Sequence, residues 1–138
     1  MSEENVQIVS RLYELYAQGE NEALLARVDP NVEVDLTDRL PDEEVRRGRE
    51  AYRSFLEEGF DMWSEFRVDV EELIDAGDAV VALVRSVAVG EGSGAEVSER
   101  VAHVLWLRDG TPYRLKVFGS REAALEAAGL SERPDRAR

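Results

Sequence analysis

The spacing of apolar residues changes near Phe66, and this change restricts how the chain can fold more than any other feature. Before Phe66, apolar side chains recur at intervals of three and four, which is typical of helices that pack along one face. After it, apolar and polar side chains alternate along several long segments, which is typical of strands. Helices followed by a run of strands predict an α+β fold, and 138 residues suit one such domain.

Three helices are predicted before the change of spacing, and a short one near the end of the chain. The first covers residues 3–18, the second begins at Asn21 and ends at Asp29-Pro30, and the third runs from about Arg49 to Trp63. The last begins after Ser120, a typical capping residue, and ends at Gly129. The first three have an apolar side, so we expect them to pack against the strands.

A short strand is predicted at residues 32–36, and longer strands at about 66–74, 79–90, 95–108 and 113–118. The links between the long strands are short and rich in turn residues, so consecutive strands should pair antiparallel. Strands of ten or more residues twist and curl strongly. We therefore expect a curled sheet with a concave face, wrapped on a long helix.

The composition excludes several classes of protein and site. Without cysteine, the chain can form neither disulfides nor thiolate metal sites. A net charge of −13, from 17 basic and 30 acidic side chains, argues against binding of nucleic acid or of an anionic membrane surface. The N-terminus lacks the features of a signal peptide, and no segment has the roughly 20 apolar residues of a membrane span. We expect one cytoplasmic domain over residues 1–130 and a polar, disordered tail at 131–138.

Four stretches of sequence, and the order of the predicted elements, resemble the SnoaL-like branch of the nuclear-transport-factor-2-like superfamily. The stretches are Leu12 to Gly19, Asp29 to Val34, Gly48 to Ala51, and His103 to Trp106 continuing through Arg108-Asp109-Gly110 to Leu130. The resemblance implies a cone-shaped, curled antiparallel sheet packed on three N-terminal helices, with a short C-terminal helix. It also implies a homodimer formed through the open sheet face. It implies no single reaction, because the superfamily includes isomerases, cyclases, dehydratases and epoxide hydrolases.

Asp35, at the end of the first predicted strand, is the candidate base. In ketosteroid isomerases, which share the superfamily, a carboxylate at the end of this strand is the base, and the resemblance places Asp35 on it. An aspartate at the mouth of an apolar cavity has its pKa raised by desolvation, which makes it a usable base near neutral pH. Glu33 lies on the same face two residues earlier and is the alternative base. In the competing interpretation, both carboxylates lie on a solvated outer face.

His103, the single histidine, lies in the middle of a predicted strand, and Val101, Leu105 and Leu107 share its face. A histidine among apolar neighbours is commonly a core or interface residue. The resemblance implies another role, because in ketosteroid isomerases an acid on the corresponding strand stabilises the oxyanion. An imidazole could donate the same kind of hydrogen bond.

Tyr13 and Tyr16 lie three residues apart on one face of the first helix. The resemblance implies an oxyanion-stabilising tyrosine on this helix, at a position that falls on Leu12, one residue before Tyr13. In the competing interpretation, both tyrosines pack as core aromatics whose hydroxyls contact water.

Arg85 and Arg114 interrupt otherwise apolar strands. Either could pair with a carboxylate in the pocket or hold an acidic ligand. The alternative is the outward face of the sheet, where Arg100, Trp106 and Arg108 would also suit a dimer contact.

Phe55 and Trp63, on the apolar stripe of the third helix, belong either to the core or to the lining of the pocket. One histidine and no cysteine predict no transition-metal site, and no motif predicts a cofactor.

Three hypotheses about function follow. The first is a cofactor-free isomerase, cyclase or dehydratase acting on a small apolar molecule, in which Asp35 moves a proton while His103, Tyr13 or Arg114 stabilises negative charge. The second is a non-catalytic pocket for a small hydrophobic ligand. The third is a dimeric interaction module whose cone is filled by its own aromatic side chains. A cavity of several hundred Å³ faced by both Asp35 and His103 would favour the first, whereas a filled cone would favour the third.

Overall fold

Four helices and six strands make up the described part of the chain. The structure is a computed structural model that describes residues 3–130, with the backbone alone at residues 59–63. The helices are α1 (Glu3–Ala17), α2 (Asn21–Leu25), α3 (Arg49–Met62) and α4 (Arg121–Ala127). The strands are β1 (Glu33–Asp35), β2 (Arg46–Arg47), β3 (Trp63–Asp75), β4 (Ala79–Gly90), β5 (Glu96–Arg108) and β6 (Thr111–Phe118). The tail predicted at 131–138 lies outside the described residues.

The six strands form one curled sheet in the order β2-β1-β6-β5-β4-β3. The three hairpins between β3 and β6 pair antiparallel, as the short links predicted. Register shifts near Val70 in β3 and after Trp106 in β5 mark bulges, which increase local twist and help the long strands to curl. The predicted α+β cone with three N-terminal helices and a short C-terminal helix is confirmed.

The first strand differs from the prediction in its partners. β1 pairs parallel with β6, so that Glu33 lies beside Arg114 and Asp35 beside Lys116. On its other side β1 pairs antiparallel with β2, two residues in a segment where no strand was predicted. A two-residue strand has too few side chains to show alternation, so β2 could not be recognised in the sequence. β1 and β6 are separated by most of the chain, so no turn between them fixes their relative direction.

Side chains alternate between an inner and an outer face of the sheet, and each face has its own core. On the inner face, Val80, Leu105 and Leu115 pack with apolar residues of α1, α2 and α3. On the outer face, Val81 and Val104 pack with apolar residues of α4. The three N-terminal helices therefore cover the concave side, where a ligand could be enclosed.

None of the described helices is long and apolar enough to cross a membrane.

Candidate functional site

A cavity of about 290 Å³ lies between the N-terminal helices and the inner face of the sheet. Most of its wall is apolar, with Leu12 from α1, Phe55 from α3 and Val117 from β6 as examples. Its polar and charged lining residues are Tyr13, Tyr16, Arg39, Tyr52, Glu58, Ser86 and His103. The volume is close to the lower end of typical small-molecule sites, so the cone is not filled by its own side chains.

The predicted site residues divide into two groups. Tyr13, Tyr16, Phe55 and His103 line the cavity. Glu33, Asp35, Arg85 and Arg114 do not line it. The side chain of Trp63 lies outside the described part of the structure.

Tyr13 and His103 form a hydrogen-bonded pair in the cavity wall. The Tyr13 hydroxyl lies 2.6 Å from Nδ1 of His103, and the two rings stack at 17° with centroids 6.0 Å apart. α1 presents Tyr13, and the alternation of β5 turns His103 toward the same space as Val101 and Leu105. Two residues that are 90 positions apart in the sequence are thus joined in one polar unit.

Burial keeps this pair uncharged. His103 is 9% exposed, and desolvation lowers its pKa from 6.5 to about 4. Desolvation by burial, followed by the neighbouring Tyr52, raises the pKa of Tyr13 well above its usual value. At neutral pH the site therefore presents a neutral imidazole hydrogen-bonded to a neutral phenol.

The second ring nitrogen of His103 is available to a ligand. Within the described part of the chain, Tyr13 is the one hydrogen-bond partner of the ring. The Nε2 atom has no partner there, and it is not fully enclosed by protein atoms. Because His103 lines the cavity, Nε2 is the ring nitrogen left for a ligand there. If the Tyr13 hydroxyl donates to Nδ1, Nε2 carries the proton and is a donor; in the other tautomer it is an acceptor.

Arg39 and Glu58 are the charged residues of the wall, and neither stood out in the sequence. Arg39 forms an ion pair with Glu99, and Glu58 accepts a hydrogen bond of 2.6 Å from Arg46. The side chains of Arg39 and Glu58 are 37% and 51% exposed, so they lie where the cavity opens to solvent. Both charges are compensated within the protein, and the interior of the cavity is left uncharged.

Asp35, the predicted base, does not line this cavity. β1 turns Val34 to the inner core, so Glu33 and Asp35 lie on the other face of the sheet. Asp35 is only 5% exposed, but it accepts hydrogen bonds from the backbone N–H and the hydroxyl of Thr37, at 2.9 and 2.6 Å.

The pKa of Asp35 also moves in the direction opposite to the prediction. Burial acts to raise the pKa, but the two hydrogen bonds from Thr37 and the charges of Lys116 and Arg114 together lower it. Arg114 and Lys116 lie 3.6 and 3.7 Å from Oδ2 of Asp35. Asp35 therefore remains a carboxylate that holds local structure.

Glu33, Arg85 and Arg114 are also placed outside the cavity. Glu33 forms an ion pair with Arg47 on the neighbouring strand. Arg114 lies over the Trp106 ring at 4.5 Å, and Arg85 pairs with Ser98 at 3.2 Å. Both arginines thus occupy the outward face, which was the alternative placement considered for them.

Tyr52 was missed as a candidate site residue. It lies on the apolar side of α3, is only 5% exposed, and contacts Phe55 at 6.2 Å between ring centroids. It also lines the cavity. The available signal was its hydroxyl, because a purely apolar stripe position is filled equally well by phenylalanine.

No group of three or more histidine or carboxylate side chains suited to a metal ion occurs among the described residues.

Comparison with known proteins supports the assignment of the fold. A family model for the SnoaL-like domain matches residues 9–114. No curated protein matches the chain significantly. Among solved structures, an NTF2-like protein of unknown function from Burkholderia pseudomallei K96243 is 18% identical, with a TM-score of 0.70 over 94% of this chain and 98% of that one.

Two other solved structures are similar in the same way. A candidate SnoaL-like polyketide cyclase from Jannaschia sp. CCS1 is 22% identical, with a TM-score of 0.71 over 94% of this chain and 93% of that one. A hypothetical protein with a ketosteroid isomerase-like fold from Catenulispora acidiphila DSM 44928, solved in complex with trimethylamine, is 17% identical, with a TM-score of 0.68 over 89% and 92% of the two chains. At these identities the likeness establishes the fold alone.

Proposed function

This chain belongs to the SnoaL-like domain family, and on that premise we propose that it binds a small, uncharged, largely apolar molecule in the cavity and holds an oxygen atom of that molecule at His103. The Tyr13–His103 hydrogen bond in the wall of an otherwise apolar cavity is the observation that carries the proposal. A few placed polar groups in an apolar wall are what orients a small ligand.

His103 acts as a hydrogen-bond donor in this proposal. In the tautomer that we propose, the Tyr13 hydroxyl donates to Nδ1 and the ring proton is on Nε2. A neutral imidazole with a lowered pKa can polarise a carbonyl without transferring a full charge. A carbonyl or hydroxyl oxygen is therefore the ligand atom that suits this position.

The ligand is uncharged because the interior offers no opposite charge to bind. Arg39 and Glu58 are already paired, with Glu99 and Arg46 respectively. A carboxylate or an ammonium group enclosed beside Tyr13 and His103 would lose its hydration without a compensating partner. The description of the Jannaschia relative as a candidate polyketide cyclase supports an oxygen-bearing carbon skeleton, by analogy of fold.

A matched set of bicyclic molecules tests this proposal by calorimetry. We expect the ketone 1-tetralone to bind more tightly than the hydrocarbon tetralin and than a charged tetralin carboxylate. Tyr13→Phe removes the hydroxyl that orients His103, so it should weaken ketone binding by roughly threefold to tenfold. Tyr113→Phe is the control, because Tyr113 does not line the cavity. Equal binding of ketone and hydrocarbon, or tighter binding of the carboxylate, would contradict the proposal.

Acid–base turnover is the second candidate function, and the position of Glu58 favours it. Glu58 supplies a carboxylate to the cavity wall, whereas Asp35 does not. With a ketone oxygen held at His103, Glu58 would accept a proton from the carbon next to the carbonyl, and the electron pair would pass to the oxygen.

Deuterium exchange distinguishes turnover from binding. If turnover occurs, the native protein should exchange the α-protons of 1-tetralone in deuterated water, and Glu58→Gln should lose that activity. Binding without exchange above the buffer rate would leave ligand binding as the function.

A further inference from the structure

We propose that Tyr52 is a second hydrogen-bond donor in the cavity, and that the ligand carries two oxygen acceptors, one held at His103 and the other at Tyr52. This inference rests on the proposed function, since it concerns the ligand of the same cavity. It narrows the ligand class to neutral diketones, quinones and keto-phenols.

Tyr52 is fixed in place by the first turn of α3. Its backbone N–H donates to the carbonyl of Gly48 at 3.1 Å, and its ring contacts Phe55. The residue is 5% exposed and lines the cavity. A ligand in the cavity therefore meets a tyrosine that has little freedom to move.

The hydroxyl of Tyr52 has no hydrogen-bond partner within the described part of the chain. It is not fully enclosed by protein atoms. Because Tyr52 lines the cavity, we infer that a ligand there can reach this hydroxyl. A residue that served only to pack could equally be phenylalanine, which leaves no hydroxyl without a protein partner. The group is therefore placed to be satisfied by whatever occupies the cavity.

Tyr52 lies near Tyr13 but takes no part in the Tyr13–His103 hydrogen bond. His103 is bonded to Tyr13, and neither of them bonds to Tyr52. His103 lies on β5 in the sheet, Tyr13 on α1 and Tyr52 on α3. A second oxygen on the ligand would give the Tyr52 hydroxyl the partner that it lacks within the described part of the chain.

Tyr52 acts as a donor at any ordinary pH. Burial raises the pKa of Tyr52, so the phenol keeps its proton. Together with the neutral Tyr13–His103 pair, this gives a cavity with two uncharged donors and no buried charge. A neutral molecule with two acceptor oxygens complements that wall.

The experiment compares ligands with one and two carbonyls on the native protein and on Tyr52→Phe. The ligands are 1-tetralone, 1,4-naphthoquinone and 1,2-naphthoquinone, and affinity is measured by calorimetry. The absence of cysteine leaves no thiol to react with the quinones. We expect at least one quinone to bind the native protein more tightly than 1-tetralone does. Tyr52→Phe should weaken binding of that quinone by about fivefold to tenfold and leave 1-tetralone nearly unchanged.

Failure of this inference can be told apart from failure of the proposed function. If 1-tetralone binds in a Tyr13-dependent manner but Tyr52→Phe affects no quinone, the second donor is refuted and the proposed function stands. If neither quinone binds more tightly than 1-tetralone, the two-acceptor ligand is also refuted. If 1-tetralone itself does not bind in preference to tetralin, the proposed function fails first. Tyr113→Phe again controls for the loss of a phenol elsewhere.

Discussion

His103 is buried among apolar neighbours and also lines a cavity. Burial excludes the charged form, and the Tyr13 hydroxyl satisfies one side of the ring. The ring is therefore a fixed neutral group at the pH where most histidines begin to titrate.

The pH dependence of stability should report the neutral state of His103. The pKa of His103 falls from 6.5 to about 4 on folding. Between these pH values the unfolded chain binds a proton that the folded chain does not bind. The stability associated with the neutral ring is complete above about pH 6.5 and declines as the pH falls toward 4, by roughly 1.4 kcal/mol per pH unit.

Urea unfolding of the native protein and of His103→Gln isolates this effect, because glutamine does not titrate. The free energy of unfolding of the native protein, relative to that of the variant, should decrease as the pH falls from about 6.5 to about 4.5. A difference that stays constant over this range would show that His103 titrates normally in the fold.

Asp35 should matter for stability and not for the cavity. Asp35→Asn keeps the shape but removes the charge that faces Arg114 and Lys116, so it should lower the free energy of unfolding by about 1–3 kcal/mol. Because Asp35 lies on the opposite face of the sheet, the NMR titration of His103 should be the same in this variant. A shifted His103 pKa in Asp35→Asn would mean that the two groups are coupled. Tyr13→Phe is the positive control, because Tyr13 contacts the His103 ring directly.

At the scale of elements, the sequence predicted best what depends on neighbouring residues. The four helices and the hairpins follow from spacing, caps and turns, and the Asp109-Gly110 turn has the positive φ values, 53° and 78°, that such tight hairpins need. The partners of β1 did not follow, because a strand of three residues is placed by what it packs against rather than by a turn.

The helix α4 should depend on its N-cap. The Ser120 hydroxyl accepts a hydrogen bond from the Ala123 N–H at 3.1 Å, and a helix of seven residues has few other bonds to hold its first turn. Ser120→Ala should lower the free energy of unfolding by about 1 kcal/mol, measured by urea denaturation. Ser54→Ala, at an exposed position inside α3, is the matched control and should change little. Equal effects of the two substitutions would show that the cap is not stabilising.

At the scale of the whole molecule, the two faces of the sheet differ in what covers them. The inner face carries the cavity, while part of the outer face is covered by α4 and part presents long side chains such as Arg100 and Trp106. A homodimer through this outer face remains a prediction from the resemblance, as does the cytoplasmic location.

Light scattering coupled to gel filtration tests the dimer. If the outer face pairs two copies, Trp106→Glu should shift the protein toward monomer, because it places a charge in the contact. Val97→Glu is the control, because Val97 is 53% exposed and lies on the inner face of β5. It shares that face with Glu99 and Val101, which follow it by two and four residues. A native protein that elutes as a monomer at all concentrations would contradict the prediction.

The sequence by itself determined which side chains share a face, because the pleat of a strand has a period of two regardless of context. It placed Glu33 with Asp35 and His103 with Val101 and Leu105, and the structure agrees. Only the tertiary structure decided which face is inside. Burial of Val32 and Val34 turned the acidic side of β1 outward and removed Asp35 from the cavity. The contact between Tyr13 and His103 could not be predicted from local sequence patterns either, because it depends on how α1 lies across β5. That arrangement is set by packing of the entire inner core.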